Sequence, residues 1–261
     1  MNFWQKFLIN WVAFQTICFR EVVRFTRIWS QTLLPSAITM SLYFIIFGKL
    51  IGSQLREVEG YSYMQYIVPG LVMMSIMTNA YANTASSFFQ VKFTKSIEEM
   101  LVSPMSSIVM MLGFTVGGAL RGILVGVIVI AIAHLFTSVP LLHPIIVLSM
   151  AILAAFLFSL GGFINAIFAK RFDDTGFIPT FVLTPLTYLG GVFYSMSALP
   201  PFWQKLSIIN PILSIVDTFR FGLLGVSDVG VFLGFAIVGS LFVILFIFAL
   251  YLLQRGIGLK A

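Results

Sequence analysis

The sequence predicts an all-α integral membrane protein with six transmembrane helices, an N-terminal amphipathic helix and both termini in the cytoplasm. Three observations predict it. Six long apolar stretches run near 33–52, 64–87, 108–136, 143–168, 177–197 and 231–253. About 20 apolar residues match the ~30 Å hydrocarbon slab as a helix, and continuous apolarity, without strict alternation, selects helices over a barrel. The 261 residues are 59% hydrophobic and only 9% charged, whereas a soluble domain carries roughly 25% charged residues. Finally, the basic residues are unevenly placed. With the N-terminus inside, Lys6, Arg20, Arg24, Arg27, Lys92, Lys95, Lys170, Arg171, Arg255 and Lys260 fall on the cytoplasmic side, against Lys49, Arg56, Lys205 and Arg220 outside. That asymmetry is the positive-inside pattern. The net charge of +6 is spread along the chain instead of gathered in a patch, so it marks topology and not nucleic-acid binding. Between the spans no segment is long enough to fold separately, so residues 1–261 form a single domain.

Taken in order, residues 3–30 come first. Arg20, Arg24, Arg27 and Gln31 recur at helical steps on one face, with Phe19, Val22, Val23 and Trp29 turned away and Trp4, Trp11 and Trp29 suited to the headgroup zone. This is the pattern of an interfacial helix on the cytoplasmic leaflet, the rival being an ordinary cytoplasmic helix packed on the bundle. The lone cysteine, Cys18, excludes an internal disulfide. Pro35 opens the first span, where its missing N–H costs little. In the second span Ser75, Asn79, Asn83 and Ser86 share one face.

The first inner loop is the longest inside, and within 92–104 the run 96–103 reads as a short helix stopped by Pro104. Glu98 and Glu99 lie in its first turn, favourable against the helix dipole. The third span holds the single deep charge, Arg121, about 13 residues before His134 and so roughly 20 Å below it. It either snorkels to the inner headgroups, pairs with Asp173 or Asp174 of the second inner loop, or touches substrate. His134 and His143 flank a short outer loop and read as interfacial histidines before metal ligands. In the fifth span Thr180, Thr184 and Thr187 share a face with Tyr188 beside them, and Pro179 and Pro185 bend the helix. Both polar stripes should face protein or water, either as helix–helix hydrogen bonds or as the lining of a passage. Residues 198–224 are too apolar for a solvated loop and too short for two more spans, so short re-entrant outer helices fit them. The sixth span, 231–253, has no charge at all.

Catalytic constellations are missing from this pattern. The chain has no Gly-x-Ser-x-Gly and no Gly-x-x-x-x-Gly-Lys-Ser/Thr phosphate loop, so it is not an ATPase of that type, and its spans lack the central acids that ion-coupled carriers use.

Several blocks along the chain are similar to those of the ABC-2 type permease family, the membrane half of ATP-binding-cassette exporters. They are Arg-Ile-Trp-Ser-Gln-Thr-Leu-Leu-Pro at 27–35, Tyr-Ile-Val-Pro-Gly-Leu at 66–71, Ile-Glu-Glu-Met-Leu-Val-Ser-Pro at 97–104, Phe-Ala-Lys-Arg-Phe-Asp-Asp at 168–174, Pro-Leu-Thr-Tyr-Leu-Gly-Gly-Val-Phe-Tyr-Ser at 185–195 and Leu-Pro-Pro-Phe-Trp at 199–203. The resemblance implies that 3–30 is an elbow helix, that 198–224 are the re-entrant outer helices, and that Ile97, Glu98, Glu99, Met100 and Leu101 form a coupling helix that docks on a soluble ATPase subunit. It also implies a homodimer of permeases with two ATPase subunits in a bacterial inner membrane. This chain itself would bind no cofactor, ATP and Mg being held by the partner. The expected activity is export of an amphipathic, lipid-linked, glycan or drug-like substrate, with Ser75, Asn79, Asn83, Thr180, Thr184, Thr187 and Tyr188 as candidates for the pathway. The alternative is an ATP-independent secondary carrier or channel.

Overall fold

A computed structural model describes residues 3–52, 57–196 and 199–259. Arg56, Lys260 and Ala198 lie outside the described residues, as do the side chains of Phe3, Lys49 and Ile51. Among the described residues the regular structure is helical, with one isolated bridge between Val58 and Tyr61.

The molecule is organised around α4 (Tyr63–Phe93). It begins at a reciprocal cap in which the Ser62 hydroxyl accepts from the Gln65 N–H and the Gln65 side chain accepts from the Ser62 N–H, satisfying two donors that a helix start leaves open. Its 31 residues span about 46 Å, and most of them are buried. α6 (Ser107–Phe136) and α7 (Pro144–Phe168) flank it. They approach closely because glycine stands at the contacts. A Cβ on Gly122 would lie 2.7 Å from the Ile76 carbonyl oxygen, one on Gly126 would lie 2.6 Å from the Ile76 side chain, and one on Gly162 would overlap the Tyr81 carbonyl. Gly118, Gly122 and Gly126 recur every fourth residue, the small-residue stripe by which membrane helices bring backbones together.

Around this core run α1 (Phe3–Arg27), α2 (Trp29–Thr32) and α3 (Leu34–Tyr43), which continues as a π-helical turn over Phe44–Ile51. α1 lies against α6, with Ile17 over Gly113 and Glu21 over Gly117. The short α5 (Ser96–Val102) follows α4. After α7 come α8 (Asp174–Ile178), a π-helical turn over Pro179–Leu183 and α9 (Thr184–Tyr188). Next are α10 (Pro201–Ile209) and α11 (Pro211–Leu224), which meet at 90°, and last α12 (Val231–Arg255). The apolar interior falls into two clusters. One is centred on α4, α6, α7 and α11, and the other gathers Phe88, Phe114 and Phe163 with Ile17 and Ile97 at the end where α5 sits.

Six apolar runs become a more varied set of helices. Four are long and apolar enough to cross a membrane, namely Trp29–Gly48, Ser107–Phe136, Pro144–Phe168 and Val231–Arg255, and the bent pair α10–α11 would make a fifth. The second expected span coincides with α4, whose buried polar residues make it less apolar than the others. The fifth departs most from expectation. Helical structure starts at Asp174 and stops at Tyr188 instead of reaching 197. Pro179 and Pro185 each remove a donor, the π-helical turn follows Pro179 directly, and the chain reverses at Gly190 and Gly191, the latter at φ +67°, where only glycine is unstrained. The stretch expected as re-entrant outer helices folds as the two helices α10 and α11. α10 is largely exposed, while α11 is almost wholly enclosed.

Candidate functional site

The most heavily bonded polar cluster lies where α1, α2–α3, α4 and α6 meet. Its centre is Glu21, 0% exposed. One carboxylate oxygen accepts from Arg24 Nη2 at 3.0 Å and from Asn83 Nδ2 at 3.3 Å, and the other accepts from the Ser87 hydroxyl. Arg24 Nη2 also donates to the Asn83 side-chain oxygen at 2.9 Å. Arg121 joins from α6, its Nη2 donating to the Thr32 carbonyl and to Asn79 Oδ1, each at 3.1 Å. Asn79 in turn donates to the Ser36 hydroxyl at 3.0 Å. Isolated charges would be costly here; Arg24 pairs with the carboxylate, and the Asn83 amide links that pair to Arg121.

This arrangement gives Arg121 partners other than the acids expected for it. Arg121 meets Asn79, Asn83 and Thr32, not Asp173 or Asp174. Asp174 instead accepts from the backbone N–H of Lys170 at 2.8 Å and of Arg171 at 2.9 Å, bonds that hold its carboxyl below the usual range. The loop is too tightly turned to send either acid toward α6. The amides of Asn79 and Asn83 are buried and joined to neighbouring helices, while the Ser75 hydroxyl bonds back to the Leu71 carbonyl. Asn79 and Asn83 thus tie α4 to its neighbours, while Ser75 bonds within its own helix. Glu21 was not singled out by sequence reading. The available signal was that it is the only acid before Glu57 in a strongly basic stretch.

The fifth-span stripe divides differently. Thr187 is buried and bonds back to the Leu183 carbonyl, whereas Thr180, Thr184 and Tyr188 are exposed alongside Phe177 and Phe181. Tyr188 stacks on Phe193, ring centres 5.9 Å apart, and Phe193 also packs on Tyr43 and Phe47 of the first span. The two π-helical stretches therefore adjoin one aromatic knot.

At the other end of α4 the chain reverses through Lys95, a left-handed residue at φ +59°, and enters α5. Ile97 is 2% exposed and packs into the Phe88–Phe163 cluster. Glu98, Glu99 and Leu101 face outward, Met100 is half-buried, and Val102, which sequence reading passed over, is 88% exposed. Ile97 is thus the anchor of the helix and not part of its outer face. Lys92, one turn earlier, donates to the carbonyls of Ala166, Ile167 and Ala169, a cation on the open end of α7.

Two buried charges of α11 lie near the other end of α4: Arg220, which the sequence places on the outer side, and Asp217, which it does not single out. Arg220 is 1% exposed, with its guanidinium 4.1 Å above the Tyr66 ring and a bond to the Gly191 carbonyl. Asp217 is equally buried and accepts from Ser227 Oγ at 2.6 Å, Asp228 N at 2.8 Å and Val229 N at 3.0 Å. Both hold the turns that flank α11. His143 stacks on Phe221 with ring centres 5.0 Å apart.

Comparison with known proteins agrees with this architecture. The ABC-2 type transporter family model matches residues 12–224. The chain is 52% identical over 253 residues to an inner membrane transport permease, YadH, of Escherichia coli (strain K12), covering 97% of this chain and 99% of that one. It is 25% identical over 235 residues to Nodulation protein J of Neorhizobium galegae, covering 87% of each, and 27% identical over 218 residues to Nodulation protein J of Sinorhizobium fredii, covering 82% of each. The chain therefore belongs to the ABC-2 type transporter family and is a multi-pass inner-membrane transport permease.

Proposed function

We propose that this permease is the membrane half of an ATP-driven exporter, working as a homodimer with two copies of a soluble ATPase that holds ATP and Mg. The observation that carries the reading is α5. A helix too short to be stable alone is pinned by Ile97 and presents Glu98, Glu99, Leu101 and Val102 outward. A mixed acidic and apolar face on a rigid anchor suits docking in a partner's groove. In this reading 92–104 is the cytoplasmic coupling helix, α1 is the elbow helix on the inner leaflet, and 198–224 are outer re-entrant helices. The chain then crosses six times, α4 and the broken α8–α9 segment completing the set, with both termini inside.

Thr180, Thr184 and Tyr188 are exposed, with the Thr184 hydroxyl bonded back to the Pro179 carbonyl. They are the better candidates for a passage shared by two copies, and their lack of charge suits an amphipathic, lipid-linked, glycan or drug-like cargo. Glu98→Lys with Glu99→Lys should abolish stimulation of the partner's ATPase while leaving the permease in the membrane. Undiminished partner binding and stimulation in the double variant would remove the basis for the reading. Turnover by the purified permease alone under an ion gradient would establish a secondary carrier instead.

A further inference from the structure

Beside the Glu21 cluster, α1 and the α5-proximal end of α4 enclose a cleft of about 810 Å³. Arg20, Arg24 and Arg27 line one wall, and Ser87, Gln90 and Thr94 line the other. No carboxylate lines the cleft; Glu21 is already held by Arg24, Asn83 and Ser87. Arg24 Nε is buried with no partner, and Arg27 makes no hydrogen bond or ion pair among the described residues. The rim is apolar, with Phe19, Val23 and Ile28 all substantially exposed. Arg20 and Arg27, which no acid neutralises among the described residues, stand beside the Glu21-paired Arg24 inside an apolar rim and describe a receptor for an amphiphile with an anionic head.

We infer that this cleft binds the phosphate of an anionic phospholipid of the inner leaflet, with hydroxyls and the Gln90 amide completing the headgroup site and the acyl chains passing over Phe19 and Val23. A forked guanidinium suits phosphate, and basic pockets on the cytoplasmic side of membrane proteins are suited to such headgroups. The apolar rim favours a lipid over an acidic peptide of the ATPase, which would need no greasy border. The inference rests on the placement of α1 at the cytoplasmic leaflet, but not on export.

The test uses the intact permease in nanodiscs of equimolar phosphatidylcholine and phosphatidylglycerol, counting retained lipid by native mass spectrometry after extraction. Wild type should keep phosphatidylglycerol selectively, and Arg20→Gln with Arg27→Gln should weaken retention about 30-fold, two surface cations' worth. Lys170→Gln with Arg171→Gln, which removes equal charge from the same side, should change nothing. If the first double variant does not fold, Arg27→Gln alone should show about a 5-fold loss. Equal retention in the Arg variants, equal loss in the lysine–arginine control, or displacement by inorganic phosphate as readily as by phosphatidylglycerol would each overturn the inference. Loss of ATPase affinity with unchanged lipid retention would assign the cleft to the partner protein. Brominated-lipid quenching of Trp4, Trp11 and Trp29 in a Trp203→Phe background reads the placement of α1 separately. Quenching with unaltered lipid retention condemns the cleft alone, and no quenching condemns the placement.

Discussion

A glutamate on an amphipathic helix ordinarily faces water, because its desolvation is costly. Glu21 faces inward because Gly117 leaves room for its stem and Arg24, Asn83 and Ser87 surround its head. Helical spacing alone placed Arg24 on a solvated face with Arg20 and Arg27. It carried no information about which member of that face would find a carboxylate and an amide across the interface. Arg121 was legible as unusual, since a charge deep in a span needs partners, but the partners came from α2 and α4, distant in sequence. Glu21→Ala leaves the Arg24 guanidinium without its carboxylate and should cost about 3–5 kcal/mol, read as a lowered midpoint of denaturation in detergent. Cys18 reports on the same cluster. Burial, and then the Glu21 charge, push its thiol up to about 11, so the reactive thiolate is scarce at neutral pH. Maleimide should label Cys18 slowly at pH 7.5, faster as pH rises, and faster at fixed pH in Glu21→Gln. Equal rates in wild type and Glu21→Gln would show that the acid does not sense the thiol.

Among the elements, helices with uninterrupted apolar runs were the easiest to read. The third, fourth and sixth spans match α6, α7 and α12 within a few residues. α4 was legible as a helix and as polar-striped, but its central position was not, since that depends on the glycines of α6 and α7. The fifth span was misjudged in length. Apolar composition continues to 197, but Gly190, Gly191 and the two prolines govern the backbone there. The glycine contacts are separable by experiment. A Cβ on Gly162 would strike the Tyr81 backbone, whereas one on Gly161 would come to 3.5 Å of the Tyr81 ring, and one on Gly239 would meet nothing within 4 Å. Gly162→Ala should lower the yield and thermal stability of folded permease, Gly161→Ala should be tolerated, and Gly239→Ala should be neutral or gain up to about 1 kcal/mol from helix propensity. Matching losses at all three positions would mean that α4–α7 contact is looser than the geometry implies.

For the whole molecule, the exposed surfaces differ in chemistry. α12 offers lipid an almost purely apolar face. The α8–α9 segment instead mixes Thr180, Thr184 and Tyr188 with Phe177 and Phe181, a combination better matched to protein. Two copies meeting along that face would enclose the hydroxyls and cover the aromatics. In a Cys18→Ser background, Thr184→Cys should cross-link copies in membranes on mild oxidation, and Ile244→Cys on α12 should not. The opposite pattern would move the dimer contact to α12. Composition and charge placement made the membrane class readable. The pairing face stayed hidden because exposure depends on which side of each helix its neighbours cover.

One consequence follows from how α4 is held. Near one end it continues through a single left-handed residue into α5, and near the other Tyr63 donates to the Phe193 carbonyl while Tyr66 lies under Arg220. Glycines of its neighbours press against it at several points along its length, while Pro69 interrupts its own hydrogen-bond ladder. Under the proposed coupling, a tug on the α5 side would be carried along α4, like a turn of an axle, to the Gly191–Phe193 corner.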